Sequence, residues 1–167
     1  MALEGPFDCL VEEIDYLIRY TSRIVRRRGR DILSEFDITP PQFSALLIII
    51  QNENLTMGCL CQHLYLASST VTDLINRMEK NELVERVRDS VDRRVMRLRP
   101  KPKGHALIKK VMASRLRYLS SILSEVGEEE REEIRRSFHK LYTLMHERQT
   151  RYDEVDKTNG GDAQTDE

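Results

Sequence analysis

Between Ser68 and Arg99 the apolar residues change from helical spacing to the pattern of two short strands, and few small folds accommodate that switch. Val71, Leu74, Ile75 and Met78 recur at helical spacing up to about Lys80–Asn81. Leu83–Arg88 and Val95–Arg99 are short, partly β-branched and flanked by polar residues. The connection between them, Asp89-Ser90-Val91-Asp92-Arg93-Arg94, is turn-rich and charged, which predicts a hairpin with a basic tip. Pro100 and Pro102 end the second strand and begin another helix.

The rest of the chain reads as helix. Residues 7–36 carry an apolar stripe at Leu10, Ile14, Leu17, Thr21, Ile24 and Val25, uninterrupted by proline. At 1.5 Å per residue this helix would span about 45 Å, with Gly29 marking a bend or an early end. Thr39-Pro40-Pro41-Gln42 has the cap, the first-turn proline and the capping-box partner of a helix start. Phe43, Leu46, Leu47 and Ile50 then form a buried second helix that ends near Asn52–Asn54. Thr56 caps a short third helix, and a tight connection after Tyr65–Ala67 leads into the fourth. The fifth helix, begun by Pro100 and Pro102, has an apolar face from Leu107 to Val126 and Gly127 as its C-cap, and a sixth presents Ile134, Phe138, Leu141, Tyr142 and Met145, with Glu132 pairing Arg136. After Tyr152 apolar residues nearly vanish, so residues 153–167 are expected to be an acidic, disordered tail.

Charge separates these parts. The net charge is only −1, but Arg77–Lys110 holds twelve Lys or Arg against five Asp or Glu. The tail has Asp153, Glu154, Asp156, Asp162, Asp166 and Glu167 against Lys157. A neutral average therefore hides a basic segment, and local charge sets the field near a polyanion. The Arg26-Arg27-Arg28 run with Arg30 reads first as a solvated helix face and second as a phosphate contact. No apolar run approaches the ~18 residues of a membrane span, and the N-terminus does not read as a signal peptide. Three cysteines are too few for a secreted disulfide framework, so the expectation is a soluble, cytoplasmic protein without a membrane partner.

Helix, helix and basic hairpin in this order make a winged helix-turn-helix. Its second short helix is narrow enough for a major groove, where small hydroxyl side chains approach phosphates and base edges closely. Double-stranded DNA is thus the expected partner, met by Ser68, Ser69, Thr70, Thr72, Asp73 and Arg77, with Thr56 at the start of the third helix. Arg93 and Arg94 at the hairpin tip suit the adjacent minor groove, and Asp92 is placed to orient one of them.

The stretch ASSTVTDLINRMEKNELVERVRDSVDRRVMRL, residues 67–98, resembles the signature of MarR-type transcriptional regulators. The upstream Ile38-Thr39-Pro40-Pro41-Gln42-Phe43 and the long first and terminal helices also match that layout. The resemblance covers roughly residues 7–150. It implies a mainly α fold with a small β-hairpin wing, six helices and an obligate homodimer. It further implies a repressor of a pseudo-palindromic operator, released by a small phenolic or other aromatic ligand or by thiol oxidation. Wing contacts carried over from the family fall on Asp92 and Arg94, with Arg93 between them. Three departures stand out. Ala67-Ser68-Ser69 replaces the usual Ser-Pro-Ser, so Ser68 or Ser69 is expected to cap the fourth helix. Asp73 occupies a position that is often basic, and its carboxylate can accept from cytosine N4. Glu82 replaces a glycine, leaving Asn81 to supply the left-handed turn.

The dimer also follows from the stripes themselves. Residues 37–101 form a self-sufficient DNA-binding domain, so the apolar faces of residues 1–36 and 102–152 need a second copy to cover them. Closed two-fold pairing would set two recognition helices ~34 Å apart. The sensor is less legible. Cys9, near the start of the first helix, is the redox candidate, while Cys59 and Cys61 point in different directions. Family pockets lie between the first, second and fifth helices, and Tyr16 and Tyr20 are the aromatic candidates there. His63, His105, His139 and His146 make no metal-ligand spacing, and no nucleophile elbow or phosphate loop occurs, so neither cofactor, metal nor catalysis is expected. The alternatives are a winged-helix module that binds protein, or a thiol-based regulator of the same family.

Overall fold

The computed structural model describes residues 8–53, 55–89 and 92–159. In chain order these form α1 (Cys9–Ser34), α2 (Pro40–Gln51), α3 (Met57–Leu64), α4 (Ser68–Lys80), β1 (Val84–Arg88), β2 (Met96–Pro100), α5 (Pro102–Leu123) and α6 (Glu128–Asn159). The mainly helical fold with a hairpin wing agrees with the sequence reading. The chain divides into two compact units, Met1–Arg117 and Tyr118–Glu167, with the division inside α5.

The first unit is built around α2. That helix is apolar on nearly every side, as a helix surrounded by others must be, and Phe43, Ala45, Leu46 and Ile49 are all buried. Its start is fixed by a capping box: Thr39 N donates to Gln42 Oε1 at 3.0 Å, and Thr39 Oγ1 accepts from Gln42 N. Around it pack Leu60 of α3, Val71, Ile75 and Met78 of α4, Val84 and Leu98 of the hairpin, and Val111 of α5, each with almost no exposed surface. Each such side chain stabilises the unit by about 1.5–3 kcal/mol through its removal from water.

The strands pair antiparallel, with Val84 opposite Pro100, Arg86 opposite Leu98 and Arg88 opposite Met96. Alternation puts Val84 inward and Glu85 outward, where Glu85 faces Arg99 across the ladder. The free edge of β2 is occupied: Leu98 N donates to Leu55 O at 2.8 Å, and Thr56 bridges Arg97. The α5 start sits on the α4–β1 junction, where Lys101 N donates to Leu83 O at 2.9 Å.

Several local expectations are corrected. Gly29 does not end α1, which continues to Ser34; it is buried where Arg115 crosses it, a Cβ there lying 3.4 Å from the guanidinium. The left-handed residue after α4 is Glu82 (φ 61°), not Asn81 (φ −85°). Leu83 N reaches back to Met78 O at 2.9 Å, and that closure requires the reversal at position 82 itself.

In the second unit, Gly127 does not cap α5, which ends at Leu123. It starts α6 instead: Arg131 N donates to Gly127 O at 3.0 Å, and Glu130 Oε2 accepts from Gly127 N at 3.0 Å. Glu132 bonds Arg135 rather than Arg136, one turn being enough for both guanidinium contacts. That bond holds the Glu132 carboxyl below the usual carboxylate range and raises Arg135. The α6 helix continues to Asn159, so residues 153–159, expected in the tail, are helical; residues 160–167 lie outside the described residues.

Within each unit, long apolar stripes stand uncovered. On α1 Leu10, Leu17 and Ile24 are more than half exposed, as are Leu116 on α5 and Phe138, Tyr142 and Met145 on α6.

Candidate nucleic-acid interface

The period that buries Val71, Ile75 and Met78 turns Ser68, Ser69, Thr72, Asp73, Asn76 and Arg77 of α4 to solvent, and Thr70 is exposed beside them. The helix has no side-chain cap. Ala67 occupies the N-cap position, correcting the expectation of Ser68 or Ser69, both of which already lie in the first turn. Val71 N is the first amide bonded back, to Ala67 O at 3.1 Å. The amides before it add donors to the positive end of the helix dipole, a setting that suits a phosphate oxygen. Thr72 Oγ1 donates to Ser68 O at 2.8 Å, so outwardly this hydroxyl offers lone pairs.

The wing tip is shaped by two aspartates. Asp89 Oδ1 accepts from Asp92 N at 2.9 Å, and Asp92 Oδ1 accepts from Arg94 N at 3.0 Å. Asp92 thus holds the Arg94 backbone, not an arginine side chain as expected, because the turn brings the amide within its short reach. The guanidinium held by an acid is that of Arg97, bonded to Asp89 at the base of the tip. Arg93 and Arg94 are exposed, with no acidic partner among the described residues.

Helix and wing are locked together. Arg86 on β1 pairs with Glu79 and donates to Asn76 Oδ1 at 2.9 Å, while its backbone N donates to Glu79 Oε1 at 2.8 Å. Sequence reasoning counted Arg86 and Arg97 within the basic segment and missed their structural use. Complementary charge across the α4–β1 turn, Glu79 against Arg86, was the available signal. Thr56 lies at the seam of α3 and the hairpin, where its hydroxyl accepts from Cys59 N at 3.2 Å.

The sensor candidates lie on α1. Tyr16 and Tyr20 lie with ring centroids 4.2 Å apart and their planes tilted by 32°, both about half exposed. Neither borders the open cleft of ≈ 390 Å³ lined by residues including Ile50, Glu53, Arg99 and His105. Cys9 is an exposed free thiol in the first turn of α1; Cys59 and Cys61 are also free. Among the described residues no group of His, Cys, Asp or Glu is arranged to hold a metal ion, and no helix is long and apolar enough to cross a membrane.

A two-helix reader carrying a basic hairpin defines a winged helix-turn-helix transcriptional regulator. The family model for MarR proteins matches residues 38–96, from the end of the α1–α2 connection into β2. An uncharacterized HTH-type transcriptional regulator of Bacillus subtilis, YsmB, is 42% identical over 135 residues, covering 81% of this chain and 92% of its own. The organic hydroperoxide resistance transcriptional regulator of Bacillus subtilis is 28% identical over 86% of this chain and 95% of its own. A MarR family protein of Bacillus stearothermophilus superposes with a TM-score of 0.74 at 40% identity, over 85% of this chain and 99% of that one. The chain belongs to the MarR family.

Proposed function

We propose that this protein is a cytoplasmic, homodimeric repressor that binds a pseudo-palindromic operator and is released by a small aromatic ligand. In this reading α4 enters the major groove, where Ser69, Thr70, Thr72 and Arg77 meet phosphates and base edges, and Arg94 reaches the neighbouring minor groove. The observation that carries it is the division among the arginines. Arg86 is tied to Glu79 of α4 and Arg97 to Asp89 of the wing, while Arg93 and Arg94 are held out at its tip with no acidic partner among the described residues. The uncovered apolar stripes of α1, α5 and α6 support the dimer. The exposed Tyr16–Tyr20 pair is the candidate ligand platform.

Three measurements test this. Sedimentation should give twice the chain mass of 19.6 kDa. Binding to a DNA duplex should weaken steeply as salt rises, with a log–log slope near −0.9 per phosphate contact. A single-copy mass, or protein capture through a salt-insensitive contact with no DNA binding, would favour the protein-module alternative. Adding a phenolic compound such as salicylate should release the duplex.

Base choice gives a second expectation. Asp73 sits on the outer face of α4, four residues before Arg77, where a carboxylate accepts from cytosine N4. Asp73→Asn should move the selected base toward adenine and raise affinity for unrelated duplexes, since a charge that repels phosphate is removed. Duplexes selected from a randomised pool by the two proteins report this directly, and an identical consensus would remove residue 73 from base reading.

A further inference from the structure

The turn between α3 and α4 contains an expense that the protein alone does not recover. Tyr65 closes α3 in the left-handed region, φ 52° and ψ 40°. Leu66 N donates to Cys61 O and Tyr65 N to Gln62 O, both at 3.3 Å, a closure that glycine or asparagine adopts with least strain. Two other described residues have similar φ values, Asp37 and Glu82. Asp37 is short and polar, a type that tolerates this region, and Glu82 reaches Lys101 at 3.8 Å. Tyr65 differs from both. Its ring is 95% exposed and makes no hydrogen bond or ring contact among the described residues.

A large aromatic residue held in a strained conformation, and adding nothing to the core, gains its value from an outside partner. Its place in the chain says which. Tyr65 lies three residues before Ser68, on the turn that leads into the unbonded amides of α4. Its exposed neighbours in sequence are Leu66, Ala67, Ser68 and Ser69; Leu66 is the one large apolar side chain among them, so the setting is dominated by small residues and donors and lacks the broad apolar patch a protein partner would bury. We propose that Tyr65 is a DNA contact, its phenol donating to a backbone phosphate oxygen and its ring resting against the adjoining sugar as α4 enters the groove. This rests on the DNA-binding reading above.

The test uses the full chain and the duplex that the wild-type protein itself selects from a randomised pool of roughly 30 base pairs, long enough for two half-sites. Tyr65→Gly and Tyr65→Asn both keep the left-handed turn and remove the ring. Each should weaken binding about a hundredfold or more, since the dimer on two half-sites loses two hydrogen bonds to charged groups at once, while Tm stays level or rises. Tyr65→Phe isolates the hydroxyl and should account for most of that loss. Because tyrosine is uncharged, the salt slope should not change, unlike that of an arginine variant. Wild-type affinity in either the Gly or the Asn variant overturns the proposal. If the wild-type protein selects no duplex, the failure lies instead with the DNA-binding reading.

Discussion

Alanine at position 104 should destabilise the chain by about 3 kcal/mol and lower Tm on the order of 10 °C. Gly104 lies in the first turn of α5, fully enclosed. A Cβ built there would stand 2.3 Å from the carbonyl oxygen of Leu83, 3.3 Å from its carbon and 3.1 Å from Leu46 Cδ1. Leu46 can shift, but the Leu83 carbonyl cannot, since it already accepts from Lys101 N and lies beside the left-handed Glu82. The helix would have to lift from the α4–β1 junction, uncovering Val84 and Val111. Gly58→Ala provides the opposite sign. Its added Cβ meets only Thr56 Oγ1 at 4.0 Å, and alanine is the better helix former, so a gain of about 0.5–1 kcal/mol is expected. Equal melting temperatures for the two variants would contradict the packing described for α5.

Arg94→Ala should weaken operator binding roughly 30- to 1,000-fold with no change in Tm. In the proposed complex each minor-groove arginine contributes about 1–2 kcal/mol, and the dimer loses two of them at once. Folding is spared because the side chain is exposed and without an acidic partner; the wing is shaped by the Arg94 backbone amide on Asp92, which alanine retains. The salt slope should become shallower by about two contacts. Anisotropy titration at two salt concentrations measures both quantities, and undiminished affinity would remove the wing from the interface. Arg97→Ala should behave differently, lowering Tm as well, because the largely buried Asp89 carboxylate would lose the guanidinium that pairs with it.

The elements were legible where the signal is local. The capping box of α2, the apolar face of α4 and the proline that opens α5 each depend on residues within one or two turns. The change of spacing after Asn81 was enough to place the hairpin. What escaped depends on contacts between elements. Arg86 and Arg93 look alike in sequence, yet one is bound by Glu79 and Asn76 and the other stands free of any acid among the described residues. Glu82 was passed over for the left-handed position because its side chain disfavours it, whereas the closing bond from Leu83 to Met78 decides the matter. Gly127 was assigned to the wrong helix because a glycine between two helices suits either end. Ala67 carries no oxygen, so the missing cap of α4 was visible in principle, but the serines after it drew the assignment forward.

The bonds from Arg86 to Glu79 and Asn76 have a consequence for how such a reader lets go of its target. They fasten the hairpin to the last turns of α4, and Leu55, Leu83 and Lys101 add backbone ties on either side. The base of the finger is therefore expected to move with the helix rather than independently of it. In the proposed dimer, release would come from changing the distance between the two units, so that when one is in register with its furrow the other is not.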